Sequence, residues 1–171
     1  RDLLRGSMCP VSLVCWQSAK IGRQCRSPGA AESLAAIDCE DLLYAVRLQL
    51  YEMRGGTVYV RRTATHVAQI PSVLVTDSTN VYDRLNHEVY VPKGPERRVA
   101  LEMLGLKDAI TETGLSLRWV NSDAQLANSL TKDTEPQQLQ RFYQLKQNWR
   151  IVEDPAMKSA KNRRKLGRSE E

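Results

Sequence analysis

The sequence predicts an α/β protein, a chain in which short strands alternate with amphipathic helices. One observation is a long helical pattern over residues 28–53, which has an apolar stripe and a clear start and end. A second is the pair of strand-like runs at 73–77 and 115–120, each next to a helical segment. At 171 residues and 42% hydrophobic content, the chain is long enough for one domain with its own core.

The 28–53 helix has the strongest local signals. Ser27 is a favourable N-cap, and Pro28 suits the first helical position because its missing N–H has no partner there in any case. Apolar residues then recur every three or four positions from residue 31 to residue 53, which places them on one face. The Gly55-Gly56 pair ends the pattern.

The other elements are predicted from shorter patterns. Residues 11–16 alternate with apolar side chains on both faces, which is typical of an interior strand. Residues 57–60 fit a strand and residues 61–70 a loop, and the run 115–120 alternates as a strand with one wet face. Helices are predicted from the Ser78–Asn80 cap region through Leu85, over 95–113, from a Ser122 cap through Leu130, and over 136–149.

Composition and cysteine usage exclude several classes of protein. No apolar run approaches the roughly 18 residues of a membrane span, so we expect a protein without a membrane partner. The four cysteines form no C-x-x-C pair and only two histidines accompany them, which argues against a zinc site. Irregular spacing and the absence of a signal-like start favour free thiols and an intracellular location.

The positive charge lies mainly at the C-terminus. The net charge is +5, and residues 150–171 are expected to form a basic, disordered tail after a domain of residues 1–149. The tail cations include Lys161, Arg163, Arg164 and Lys165, which suit phosphate binding or a nuclear-import address, or belong to a flexible end. Arg97 and Arg98 either contact phosphates or are solvated charges.

Two acids stand at positions that suit a ligand site. Asp77 ends the 73–77 strand, and the carboxyl ends of strands are where open α/β sheets bind ligands. Glu32 lies in the second turn of the long helix. Each acid also has a purely structural explanation, because Asp77 would suit the cap of the next helix and Glu32 the positive end of the helix macrodipole.

The order of elements and four sequence blocks resemble the ribonuclease H domain at the end of copia-type retrotransposon polyproteins. The resemblance covers about residues 10–149, and the most specific block has a strand, an acidic turn, Gln-Leu-Ala and Leu-Thr-Lys. The blocks are residues 14–20 (Val-Cys-Trp-Gln-Ser-Ala-Lys), 26–32 (Arg-Ser-Pro-Gly-Ala-Ala-Glu), 75–78 (Val-Thr-Asp-Ser) and 117–132 (Leu-Arg-Trp-Val-Asn-Ser-Asp-Ala-Gln-Leu-Ala-Asn-Ser-Leu-Thr-Lys).

The resemblance implies a mixed sheet flanked by helices and hydrolysis of the RNA strand of RNA–DNA hybrids. Such enzymes use two Mg²⁺ ions about 3.5–4 Å apart, and hard cations of this kind need carboxylate oxygens as ligands. Glu32 and Asp77 match the second and third acids of the family and are therefore its implied metal ligands here. A reverse transcriptase region upstream in the same polyprotein is the implied partner.

The chain departs from the family pattern at its start and at one acid. The first two strands, and the family's first Asp, have no counterpart, so we expect an N-terminally truncated, C-terminal fragment of the domain. Asn128 stands where the family has its last Asp, and an amide brings no charge to a cation. The alternative function is therefore an inactive remnant that binds nucleic acid weakly.

Overall fold

The computed structural model describes residues 2–22, 24–87, 97–130 and 137–153, and its elements are those of an α/β protein. The helices of these ranges are α1 (Pro28–Met53), α2 (Thr63–Val67), α3 (Thr79–Asn86), α4 (Arg97–Thr113) and α5 (Gln137–Gln144). The strands of the same ranges are β1 (Cys9–Pro10), β2 (Val73–Thr76), β3 (Ser116–Trp119) and β4 (Asn148–Trp149). Single turns of 3-10 helix lie at Leu3–Arg5, Val60–Arg62, Ser122–Ala124 and Leu126–Leu130.

The strands pair as two separate two-stranded sheets. β2 and β3 are parallel, in a register that places Val73 opposite Ser116 and Thr76 opposite Trp119. β1 and β4 are antiparallel, with Cys9 opposite Trp149. The sequence predicted both strands of the parallel pair, and α3 and α4 connect them.

The long helix α1 has the bounds that the sequence predicted. The Ser27 hydroxyl accepts the Ala30 N–H at 3.1 Å, which satisfies one of the unpaired donors of the first turn. Gly55 follows the helix with φ +84°, a backbone conformation that a residue with a Cβ rarely adopts. Local signals therefore set both ends of α1.

The core lies between α3, α4 and the sheet. Buried side chains of α3 and α4 form its centre, and partly buried apolar residues of α1, α4 and β3 pack against them. The central residues are Val81, Leu85, Met103 and Leu106, and the surrounding ones are Ala36, Ile37, Val99, Ile110 and Leu117. The core therefore fixes α1 against the elements that flank β2.

The prediction of a strand over residues 11–16 is wrong. Residues 11–20 have no regular secondary structure, and the side chains of Val14 and Trp16 are 75% and 69% exposed. The Val11 N–H still donates to the Gln147 carbonyl at 2.9 Å, which continues the β1–β4 pairing by one bond. A strand needs a neighbour to satisfy its backbone groups, and beyond this bond the described part of the chain provides none.

Two predicted helices near the C-terminus also differ. The helix expected from Ser122 forms instead as two short 3-10 turns. The helix predicted over 136–149 ends at Gln144, because Lys146 and Gln147 take positive φ values of 52° and 59°. This left-handed pair reverses the chain, so residues 148–149 become strand β4.

Residues 57–60 contain no strand, and helix α2 forms within residues 61–70, where the sequence predicted a loop. The start of the predicted 95–113 helix lies outside the described residues, and α4 begins at Arg97 in the part that is described. Of the predicted tail, residues 150–153 are described, and Glu153 accepts a hydrogen bond from Arg118 at 2.9 Å.

A buried cation joins three parts of the fold. Arg47 on α1 is only 1% exposed, and its Nε–H donates to the Ile70 carbonyl at 3.0 Å. Its two terminal nitrogens donate to Thr113 at the end of α4, to the hydroxyl at 3.1 Å and to the carbonyl at 2.6 Å. Burial lowers the pKa of Arg47 below its usual value. The sequence pattern had not singled out Arg47.

We expect the substitution Arg47→Leu to lower the free energy of unfolding by about 3 kcal/mol, because the buried carbonyls of Ile70 and Thr113 would lose their donors. Urea unfolding followed by circular dichroism measures the loss. Arg54→Leu is the matched control, since Arg54 is an exposed arginine just after α1 and its replacement should change stability by about 0.5 kcal/mol or less. Equal effects of the two substitutions would contradict a structural role for Arg47.

The carboxyl of Glu40 on α1 gives the fold a pH dependence. Glu40 is 6% exposed, and its Oε1 atom has no hydrogen-bond partner among the described residues. Burial, and then the charge of Asp41, raise the pKa of Glu40 above 4.5, while Arg47 opposes the shift. The folded state therefore holds a proton more tightly than the unfolded state, so stability falls as the pH rises above 4.5.

We expect Glu40→Gln to flatten the decline in unfolding free energy between pH 4.5 and neutral pH, because the amide cannot ionise. Urea unfolding at several pH values measures the slope. Glu52→Gln, at an exposed position near the end of α1, serves as the control and should leave the slope unchanged. A slope that stays the same in Glu40→Gln would show that Glu40 does not cause the decline.

Candidate functional site

Asp77 lies between β2 and α3, where the chain turns from strand to helix. The N-cap of α3 is Ser78, whose hydroxyl accepts the Val81 N–H at 3.2 Å. The structural explanation that Asp77 caps this helix is therefore wrong. The backbone carbonyl of Asp77 accepts the indole N–H of Trp119 at 3.1 Å, which ties the turn to the end of β3.

Glu32 reaches the same turn from α1. Its side chain is exposed, and its Oε2 atom accepts a hydrogen bond from the Ser78 hydroxyl at 2.6 Å. Ser78 directly follows Asp77 in the chain. The second turn of α1 and the carboxyl end of β2 therefore meet, and Glu32 contacts the residue that follows Asp77.

Asn128 joins this group from the other side. Its Nδ2 atom donates to Asp77 Oδ2 at 3.2 Å and to the Ser122 carbonyl at 2.6 Å. The Ser122 hydroxyl also donates to Asp77 Oδ2, at 2.7 Å. We use the name carboxylate cluster for Glu32, Ser78, Asp77, Ser122 and Asn128. The structure therefore brings all three acid and amide positions of the sequence analysis together.

The donor set of the carboxylate cluster suits one Mg²⁺ ion better than two. Mg²⁺ in phosphoryl-transfer sites takes one or two carboxylates, with waters and substrate phosphates as its other ligands. Glu32 and Asp77 supply two carboxylates, whereas Asn128 points an N–H at Asp77 and so acts as a donor. In the described ranges, no group of three or more His, Cys, Asp or Glu residues has the arrangement of a metal site.

The structure describes only part of the set of predicted cationic residues. Arg97 and Arg98 are the first two residues of α4, and both are exposed. No bond in the described residues connects them with the carboxylate cluster. The tail residues Lys161, Arg163, Arg164 and Lys165 lie outside the described residues.

The sequence analysis missed the role of two serines. Ser78 and Ser122 each had a signal as a helix cap, and each hydroxyl donates to one of the two acids. A capping signal is local, but which carboxylate a hydroxyl meets depends on how the elements pack. The packing of α1 against α3 and the pairing of β2 with β3 were therefore needed to find these bonds.

An apolar cavity lies beside the irregular 11–20 segment. Its volume is about 580 Å³, and it separates that segment from α1 and α5. Its walls include Leu13, Trp16, Leu42, Leu126, Leu139 and Tyr143. The same segment that failed to form a strand thus leaves apolar surface uncovered.

Comparisons of the chain with protein-family models, with curated proteins and with solved structures found no match. What the structure establishes is the class, an α/β protein with a parallel strand pair and a carboxylate cluster at its carboxyl end. Within the described segments, no helix has both the length and the apolar character of a membrane span.

We expect Asn128→Asp to lower the free energy of unfolding by about 2 kcal/mol at pH 7, because a second negative charge would replace a donor 3.2 Å from Asp77. Like charges raise the pKa values of both folded carboxyls, so the loss should shrink as the pH is lowered. Thermal unfolding at pH 7 and pH 5 measures it.

Gln49→Glu is the control for this amide-to-acid change. Gln49 is exposed on α1, and its replacement should alter stability by about 0.5 kcal/mol or less at either pH. A pH-independent loss in Asn128→Asp would contradict the assigned charge repulsion.

Proposed function

We propose that this chain is a ribonuclease H-like domain of copia-type retrotransposon origin, which binds Mg²⁺ and an RNA–DNA hybrid at its carboxylate cluster. The observation that carries the proposal is the 2.6 Å hydrogen bond between Glu32 and Ser78, the neighbour of Asp77. The bond joins the acid of the long helix to the residue that directly follows the acid at the strand end. These are the two acids that the resemblance to this family assigns to metal binding.

The sheet gives the proposal further support. A parallel pair, β2–β3, connected by helices and packed against α1, is compatible with part of a ribonuclease H-like mixed sheet. The strand-like sequence of residues 11–16 is irregular and lies beside the 580 Å³ apolar cavity. An uncovered strand sequence with such a cavity is what loss of the first two strands of that sheet would leave.

The residues of the cluster have different roles in the proposed site. Glu32 and Asp77 would hold the cation, and the two serine hydroxyls orient their carboxylates. The cation would supply charge stabilisation for the scissile phosphate and lower the pKa of the attacking water. In the overall hydrolysis, water adds to phosphorus and the ribose 3′-oxygen leaves, which yields a 3′-hydroxyl and a 5′-phosphate.

Cationic residues would hold the phosphate backbone of the hybrid. Arg97 and Arg98 are exposed at the start of α4 and can contact phosphates through an electrostatic attraction. This attraction does not depend on the base sequence and weakens as the salt concentration rises. We propose that the tail residues Lys161, Arg163, Arg164 and Lys165 add to this attraction or direct nuclear import. A reverse transcriptase region of the same polyprotein is the proposed protein partner.

Asn128 favours a second candidate function, a non-catalytic remnant that binds nucleic acid weakly. Its amide gives a hydrogen bond to Asp77 Oδ2 where the resembling family has a carboxylate. Two carboxylates carry too little charge for a pair of dications, because each Mg²⁺ must exchange hydration for oxygen ligands. Under this candidate the chain binds hybrids and does not cut them.

A cleavage assay separates the two candidates. We expect the chain with Asn128→Asp to cut the RNA strand of a labelled 20-base-pair RNA–DNA hybrid in Mg²⁺ at least about 10-fold faster than the parent chain, because it gains a third carboxylate. Adding Glu32→Gln to Asn128→Asp should abolish the gain. Adding Asp41→Asn, at an exposed acid further along α1, is the matched control and should keep it.

Each result of this assay supports one of the two candidate functions or excludes both. A parent chain that binds hybrid without cutting it, together with a gain in Asn128→Asp, supports the ribonuclease H ancestry and a remnant that has lost catalysis. Cutting by the parent that Glu32→Gln abolishes supports the active enzyme. No cutting in either chain, with hybrid affinity unchanged by Glu32→Ala, would show that the carboxylate cluster is not a nuclease site.

A further inference from the structure

We infer that Ser78 is a positioning residue that sets the direction of the Glu32 carboxylate for a divalent cation. The inference rests on the proposed function, since it concerns the same cluster. Ser78 combines two contacts, because its hydroxyl accepts the Val81 N–H at 3.2 Å and donates to Glu32 Oε2 at 2.6 Å. Both contacts come from one oxygen atom.

The first contact determines the direction of the second. A serine hydroxyl has one proton and two acceptor lone pairs. Because the Val81 N–H takes a lone pair, the proton remains available for Glu32, which as a carboxylate accepts hydrogen bonds. The capping geometry of α3 thus aims the hydroxyl proton at α1.

Glu32 needs such a partner because it is exposed. A glutamate on a helix surface keeps several rotamers, and restricting them costs conformational entropy when a ligand binds. The bond from Ser78 engages Oε2 and so limits the directions in which Oε1 can point. A carboxylate that is already oriented binds a cation with less ordering cost.

The starts of α1 and α3 lie close together beside this bond. The side-chain nitrogen of Asn80, in the first turn of α3, occupies the place that a Cβ atom at Gly29 of α1 would take. Ser78 stands two residues before Asn80, and Glu32 stands three residues after Gly29, so the bond joins the two helix starts.

The second acid has the same arrangement. Ser122 donates to Asp77 Oδ2 at 2.7 Å, so each carboxylate of the cluster has one serine donor on one oxygen. The two serines come from different turns of the chain, one before α3 and one after β3. A pair of hydroxyl donors would hold the orientation of both acids, which a capping role for Ser78 does not require.

The test measures binding of Mn²⁺, a paramagnetic substitute for Mg²⁺, by electron paramagnetic resonance titration of the full chain. We expect Ser78→Gly to raise the Kd for Mn²⁺ by about 10-fold, the usual effect of losing a partner that orients a metal ligand. Ser78→Thr keeps the hydroxyl and should stay close to the parent value. Glu32→Gln should raise the Kd at least as much as Ser78→Gly.

The choice of glycine separates positioning from helix capping. Glycine replaces a serine N-cap at a cost of only a few tenths of a kcal/mol, so the thermal midpoint of Ser78→Gly should remain near that of the parent. Two substitutions serve as controls: Asp41→Asn removes an exposed acid nine residues after Glu32, about 13.5 Å along the helix axis, and Ser7→Ala removes an exposed serine. Neither should change the Kd.

The outcomes distinguish this inference from the proposed function. If Glu32→Gln weakens Mn²⁺ binding and Ser78→Gly does not, Ser78 is only a helix cap and the inference is wrong, while the proposed site stands. If Glu32→Gln has no effect, or the parent shows no saturable binding, the proposed site itself is wrong and the inference falls with it. A loss in Ser78→Gly that Ser78→Thr does not share supports the inference.

Discussion

The hydrogen bonds of the buried Arg47 guanidinium set the position of α1, and the geometry of the candidate site depends on that position. Its donors reach Ile70, just before β2, and Thr113, at the end of α4. Arg47 and Glu32 lie on the same rigid helix, 15 residues and so about 22 Å apart. Fixing the helix at Arg47, with the core packing near its middle, therefore fixes how far along β2 the Glu32 side chain reaches.

Near the start of α1, neutral hydrogen-bond donors contact the acids Asp77 and Glu32. Asp77 accepts hydrogen bonds from Ser122 and Asn128 at one oxygen, and Glu32 accepts one from Ser78. Hydrogen bonds of this kind hold the orientation of a carboxylate. In the proposed function, this cluster of oxygen donors would hold a single hard cation that takes its remaining ligands from water or phosphate.

The apolar side of the molecule contrasts with this ordered cluster. Trp16 and Val14 are exposed on an irregular segment, and the neighbouring cavity of about 580 Å³ has aliphatic and aromatic walls. Exposed apolar surface next to backbone that lacks a partner strand is unfavourable for an isolated chain in water.

The sequence by itself determined the elements whose signals are local. Ser27, Pro28 and Gly55 set the ends of α1, and Ser78 sets the start of α3, because caps act within one turn of helix. The pattern also indicated the β2–β3 strands and placed Asp77 at the end of one of them.

Features that depend on partners far apart in the sequence were decided only by the tertiary structure. The run 11–16 has a strand pattern and remains irregular, because a ladder depends on a second chain segment that the pattern does not specify. The Ser78–Glu32 bond and the burial of Arg47 likewise required the packing of α1 against α3 and α4. Capping and amphipathic stripes are properties of neighbouring residues, whereas hydrogen-bond partners 46 or 66 positions apart are set by the fold.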